Sequence, residues 1–326
     1  MTLSVTAPFS RALYDVGPTS AADVAAVFEP DAVVRLGHPL GDMVGGEALW
    51  AQAYAPLIEA VPDIERRVSI QICGQDEDGA TWVGMAGIYT GTPTLHWMDI
   101  PPMGRVMHMR YHEFFRIVDG KVVEMQGIWD IPAWIKQAGV WPMGPSLGQE
   151  WNVPWPATND GIGPHDPERT EASRTIVIDM LMDMTRHPSQ GGPEVMNLEK
   201  YWHSKMNWYG PAGIGTARGI EQFRKFHQIP FLSAMPDRGQ YEDEIKHHFM
   251  AEGDYVGVTG WPNMMQTITG SGWMGIAPSG TKVALRSLDF WRIENGLIRE
   301  NWVLVDLLDL YRQLGVDVMH RMRELA

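Results

Sequence analysis

The chain has 326 residues, 44 % of them apolar and 20 % charged, a globular composition with room for two domains of ordinary size. Forty acidic against twenty-six basic residues leave a net charge of −14, which repels phosphate backbones and anionic bilayers and argues against nucleic acid or membrane as partners. The lone Cys73 forms no intrachain disulfide, no long apolar run spans a bilayer, and the start "MTLSVTAPFSRALYDVG" lacks the stretches of a secretion signal, so a cytoplasmic location is expected.

In chain order, a first domain is expected over residues 1–145. A strand at "AVVRLG" leads through the glycine-bearing turn "GHPLGDMVGG" into an amphipathic helix, "GEALWAQAYAPLIEAV", which Pro62-Asp63 stops. Alternating strands follow, divided by Asp78-Gly79, Pro102-Met103-Gly104 and Asp119-Gly120, and a helical segment after Asp130 closes the domain. Residues 146–165 read as a linker dense in proline and glycine. Its Trp151 and Trp155 would not suit a freely solvated chain, so it is expected to lie against a domain surface. The second domain, 166–326, starts with Asp166 as a cap, Pro167 at the first helical position and an apolar stripe at Val177, Met180, Leu181 and Met184, which Pro188 ends. The strand "MNWYG" and the helix "GIEQFRKFHQIPFLSAM" come next. Strands separated by Glu252-Gly253-Asp254, Pro278-Ser279-Gly280 and Asn295-Gly296 precede the closing helix "LLDLYRQLG".

The two domains are copies of one another. Trp97–Val140 and Trp273–Val316 align without a gap at an offset of 176, with fifteen of forty-four positions identical, and the match continues upstream at a slightly smaller offset, with Pro62-Asp63 against Pro236-Asp237. A period this long is a whole domain rather than a solenoid repeat of about 20–50 residues. Helices followed by an antiparallel meander define an α+β class, with helices across the concave face of a curved sheet that encloses a pocket.

The shared residues carry a family likeness. Gly280, Arg292-Ile293, Asn295-Gly296, Glu300-Asn301-Trp302, Asp306 and Arg312-Gln313-Leu314-Gly315 form a pattern that resembles the SnoaL-like polyketide cyclases of the nuclear transport factor two-like superfamily. The first copy keeps Gly104, Arg116-Ile117, Asp119-Gly120, Glu124, Asp130, Gln137 and Gly139, but has Met125-Gln126 in place of Asn301-Trp302. The resemblance implies tandem cone-shaped α+β barrels arranged as a pseudo-dimer, with a further homodimer open. It also implies cofactor-free acid/base chemistry on a small carbonyl or polyketide-like compound, of the aldol cyclase or isomerase type. This fold also hosts hydrolases, dehydratases and non-catalytic small-molecule-binding proteins, and these remain the alternatives.

The resemblance puts the acid/base aspartate at Asp306 and Asp130. Strand parity groups Asp306 with Ile298, Glu300, Trp302 and Leu304, and an inward direction is expected for that set; the competing role for both aspartates is to cap the closing helices. Asp289 and Glu113 are the second pair, resembling the protonated aspartate of ketosteroid isomerases; the competing role is a salt bridge to an arginine such as Arg286 or Arg292. Asp289 shares its face with Leu285, Ser287 and Trp291, a pocket-like set. Glu124 and Glu300 read as surface or bridging residues. Candidate ligand walls are Trp208, Tyr209, Trp261, Trp273, Trp291 and Trp302 in the second copy. In the first copy they are Trp82, Trp97, Phe115 and Trp129, with His38 as a polar group and core filling as the competing role for each ring. Histidine spacing gives no metal site, and neither "GHPLGDMVGG" nor its counterpart "GPAGIGTARG" has the spacing of a dinucleotide fingerprint.

Overall fold

The structure, a computed structural model, describes residues 21–326. The N-terminal stretch read above for a secretion signal, and the start of the 1–145 domain, lie outside the described residues. Two compact units divide the chain: one runs to Pro142 and adds Asp160–Gly163 and Asp317–Ala326, and the other joins Met143–Asn159 to Pro164–Val316. Residues 146–165 are therefore split between the units. Their tryptophan-bearing part packs on the second, where Trp155 stacks on Trp302 at 6.3 Å between ring centres and Trp302 Nε1 donates to the Pro154 carbonyl. The C-terminal helix Val318–Arg323, which no sequence feature above singled out, belongs to the first unit and pairs Arg323 with Asp99 at 2.8 Å.

Among the described residues the first unit holds six strands: β1 (Phe28–Leu36), β2 (Gly41–Val44), β3 (Glu65–Gln75), β4 (Thr81–Gly91), β5 (Met107–Val118) and β6 (Lys121–Trp129). Their order is β2-β1-β6-β5-β4-β3, with β1 parallel to β6 and every other neighbour antiparallel. The second unit repeats it with β7 (Trp202–Tyr209), β8 (Thr216–Arg218), β9 (His248–Glu252), β10 (Tyr255–Thr259), β11 (Met264–Thr267), β12 (Lys282–Leu285), β13 (Ser287–Glu294) and β14 (Leu297–Val305). Its main sheet runs β8-β7-β14-β13-β10-β9, and β11 and β12 form a separate ribbon. Each copy is α+β, a mixed and mostly antiparallel sheet with helices. The turns Asp119-Gly120 and Asn295-Gly296 have positive φ at both residues, 48° and 78° and then 52° and 75°, the conformation that closes a two-residue hairpin without splaying its strands.

The copies differ where the second opens. β4 is continuous over eleven residues, whereas its counterpart breaks between β10 and β11 at Trp261-Pro262. Pro262 has no N–H to give to a ladder. Asn263 replaces the lost bonds with its side chain: Ser287 N donates to Oδ1 at 2.9 Å, and Nδ2 donates to the Ser287 carbonyl at 2.7 Å.

Each long helix read from the sequence is interrupted at the same place by a π-helical turn, Trp50–Tyr54 before Pro56 and Arg224–Gln228 before Pro230. The proline has no N–H to continue the α-helical ladder, and in the turn before it the bonds reach five residues back, with Ala55 N donating to Trp50 O and Ile229 N to Arg224 O. Asp166 caps a 3-10 turn at Glu168 N, and the following helix Thr170–Met184 buries Val177, Met180 and Met184. Among the described residues no helix is long and apolar enough to cross a membrane.

Candidate active site in the second unit

Register across the β13–β14 hairpin decides which side chains meet. Ser287 faces Val305, Asp289 faces Val303 and Trp291 faces Asn301, so these six share one side of the sheet. With Leu285 they wall an inner cavity of about 90 Å³. Across it stand His227, Gln228 and Phe231 from the helix with the π turn, Met180 and Met184 from the first helix of the unit, and Trp208 and Trp273. An outer cavity of about 450 Å³ adjoins it, sharing Leu181, Arg238 and Met264, and is walled further by Ile178, Met182, Tyr241, Ile245 and Phe249. Small-molecule pockets occupy about 300–1,000 Å³, so the pair is large enough for one.

Asp289 is the titratable acid of this cavity. Burial pushes its carboxyl up to about 8, against the opposing pull of a 3.2 Å bond from Ser287 Oγ and of the Arg238 charge. Near neutrality it is mostly a protonated acid. His227 lies flat against Trp208, with ring centres 3.9 Å apart, and burial, aided by Arg238, brings its imidazole down to about 3, so it is neutral. Its Nδ1 is buried without a hydrogen-bond partner, as are both amide atoms of Gln228 and the indole N–H groups of Trp273 and Trp291. The indole N–H of Trp202, another wall residue, is in the same state, and buried polar atoms without partners are uncommon, so the six of them around one cavity stand out among the described residues. They offer donors and acceptors to a guest.

Among the described residues of the first unit, the matching place is packed with side chains. Glu113, the counterpart of Asp289, is completely buried and accepts from Arg66 Nη2 at 2.6 Å, Trp129 Nε1 at 2.9 Å and Tyr89 Oη at 3.0 Å. Trp129 stands where the second copy has Val305, Tyr111 where it has Ser287, and Tyr54 where it has Gln228. Tyr54 and Tyr89 each pack on the Trp129 ring, at 5.4 Å and 5.1 Å between centres. Large rings fill this interior, and an ion pair satisfies its acid.

The aspartates expected as acid/base residues lie elsewhere. Inward on β14 are Asn301, Val303 and Val305, so the expected direction is reversed and Asp306 falls on the opposite side of the sheet from Asp289. Apolar alternation gave no direction because the Trp155 segment buries the far face as well, leaving both faces of β14 apolar. Asp306 Oδ1 accepts from Asp309 N at 3.2 Å, a helix cap, and Oδ2 accepts from Arg286 at 3.2 Å. Asp130 pairs with Arg110 at 3.0 Å and makes no side-chain cap bond. Neither aspartate walls the inner or outer cavity. Glu300 is buried, paired with Arg292 at 2.6 Å and bonded by Tyr209 Oη.

Of the aromatic candidates, Trp208, Trp273 and Trp291 wall the inner cavity. Tyr209 and Trp302 pack together on the far face, and the Trp261 ring lies under the Arg286 guanidinium at 4.7 Å. In the first unit Trp97 stacks on Trp134 at 4.7 Å, Trp82 Nε1 donates to Asp76 and Phe115 meets Phe28 edge-on. His38 is half-buried in the turn between β1 and β2. His227, Gln228 and Arg238 escaped the sequence reading, although the exchange of Tyr54 for Gln228 at duplicated positions marked a change from packing to polarity. Among the described residues no cluster of three or more His, Cys, Asp or Glu side chains is placed to hold a metal ion.

The fold and its cavity define a duplicated α+β protein of the small-molecule-pocket type. The chain belongs to the SnoaL-like polyketide cyclase family, whose sequence model matches it twice, at residues 9–138 and 192–314. No curated protein matches it. Among solved structures it is similar to IdmH from Streptomyces antibioticus, at 23 % identity and a TM-score of 0.36 over 43 % of this chain and 99 % of that one. It is also similar to AclR from Streptomyces galilaeus, at 18 % identity and a TM-score of 0.35 over 42 % and 95 % of the two chains. A SnoaL-like polyketide cyclase from Agrobacterium tumefaciens matches at 15 % identity and a TM-score of 0.33, over 42 % and 97 %.

Proposed function

We propose that the second unit is a cofactor-independent acid/base enzyme acting on a small, flat carbonyl compound, with Asp289 as the group that takes and returns the proton. The observation that supports it is a carboxyl with a pKa near 8 bordering a cavity walled by Trp208, Trp273 and Trp291. At that pKa roughly a tenth is ionised at pH 7, and the same oxygen that removes a proton from the carbon beside a carbonyl holds it ready for return. The electron pair of the broken C–H bond moves to the carbonyl oxygen, where the unpartnered amide N–H of Gln228 can donate to the enolate. Return of the proton to another carbon is an isomerisation. Attack of the enolate on a second carbonyl, with the proton going to the new alkoxide, is an aldol cyclisation. The tryptophan walls favour stacked rings, which suits a polyketide-like substrate.

The test is untargeted mass spectrometry of a metabolite extract incubated with wild type and with a folded Asp289→Asn variant. A compound consumed by wild type alone supports the reading, and its product mass separates rearrangement from loss or gain of water. If both proteins retain the same bound compound and neither consumes any, the cavity is a binding site without catalysis.

A further inference from the structure

Arg238 stands where the inner and outer cavities meet and walls both. Arg238 is half-buried. The fully buried arginines are matched with acids: Arg66 with Glu113 at 2.6 Å, Arg110 with Asp130 at 3.0 Å, and Arg292 with Glu300 at 2.6 Å. Among the described residues Arg238 makes no hydrogen bond and no ion pair. The acids nearest to it do not neutralise it. Asp237 is turned to the backbone N–H of Thr267, Glu242 is exposed to water that screens it, and Asp289 is mostly protonated near neutrality. The first unit shows the paired alternative: there Arg66, on β3 and four residues after Pro62, reaches Glu113 on β5, whereas Arg238 follows Pro236 by two and makes no ion pair with Asp289.

We infer that the ligand of this cavity is an anion whose carboxylate docks on Arg238, with its rings inward among the tryptophans and its carbonyl toward Asp289. A half-buried guanidinium that faces a largely apolar cavity without a counter-ion is incompletely solvated, and a carboxylate that accepts two of its N–H groups supplies the missing partner. The substrate class is thereby narrowed to aromatic or polycyclic keto acids. This inference rests on the proposed function for the direction of the carbonyl, but the docking of the carboxylate does not depend on turnover.

The experiment compares binding of 1-naphthylacetate and 1-naphthylacetamide, equal in ring and differing in charge, by calorimetry on wild type, Arg238→Met, Arg238→Lys and Asp289→Asn. Wild type is expected to prefer the acid by about tenfold or more, the scale of a charge-assisted hydrogen bond. Arg238→Met should erase the preference while keeping amide affinity, Arg238→Lys should retain part of it, and Asp289→Asn should keep it. Equal affinities in wild type, a preference that survives Arg238→Met, or failure of the acid to bind each overturns the inference. A preserved preference in Asp289→Asn alongside unchanged metabolite consumption would leave the carboxylate site standing and remove Asp289 from the chemistry.

Discussion

Glu113 and Asp289 occupy the same position of a duplicated strand, 176 residues apart; Glu113 is sealed in an ion pair with Arg66, and Asp289 borders a cavity. Around Glu113 the neighbours are tyrosines and Trp129. Around Asp289 they are Ser287, Val303 and Gln228. Duplication gave both copies an acid at this place, and the exchange of ring-bearing neighbours for smaller or polar ones left space beside the second.

That space can be closed on purpose. Val305→Trp copies the residue found at Trp129, and the indole is expected to fill the inner cavity. Binding of 1-naphthylacetamide should fall by at least about tenfold, with circular dichroism unchanged, because overpacking at an existing cavity costs less than the usual 1–3 kcal/mol. Undiminished binding would place the ligand elsewhere.

Stability should depend on pH through Asp289. Its folded pKa of about 8 lies above its unfolded value, so between roughly pH 4 and 8 the unfolded chain has lost a proton that the folded chain keeps. Stability from this group is full below the unfolded pKa and falls as pH rises to 8. Urea midpoints of Asp289→Asn relative to wild type should therefore climb across that window and level off above it. Turnover that needs the ionised form should rise over the upper part of the same window.

In the first unit, Glu113→Gln leaves Arg66 buried without its counter-charge and should cost about 3–5 kcal/mol by denaturant unfolding. The double variant Glu113→Gln/Arg66→Met should recover much of that loss. Equal destabilisation by single and double variants would show that the pair is not coupled.

Asp306→Ala removes the bond to Asp309 N and is expected to lower stability by about 1 kcal/mol, with Asp306→Asn milder because an amide oxygen also caps. Compound consumption normalised to folded protein should be unchanged in both. A complete loss in folded Asp306→Asn would return the acid/base role to Asp306.

The sequence carried the duplication, the hairpin turns and the α+β order, because turn chemistry at Asp119-Gly120 and Asn295-Gly296 and the period of the apolar residues are local properties. It also grouped Leu285, Ser287, Asp289 and Trp291 on one face. It did not carry the direction of β14, since a strand covered on both sides shows no polar face to orient it. Nor did it show that Arg238 and Asp289 border one cavity, which depends on how a helix exit and a strand break come together in space. The π turn was hidden for a related reason: a proline inside a helical pattern marks a disturbance without saying which side chains it turns inward.

The most direct measurement is carbon NMR of the protein labelled at aspartate carboxyls, titrated from pH 4 to 10 beside Asp289→Asn. The expected result is a carboxyl that stays protonated at pH 7, ionises near pH 8 and is missing from the variant. If instead the resonance absent from the variant is already ionised at pH 5, Asp289 is an ordinary carboxylate, and the acid/base account of the cavity is wrong.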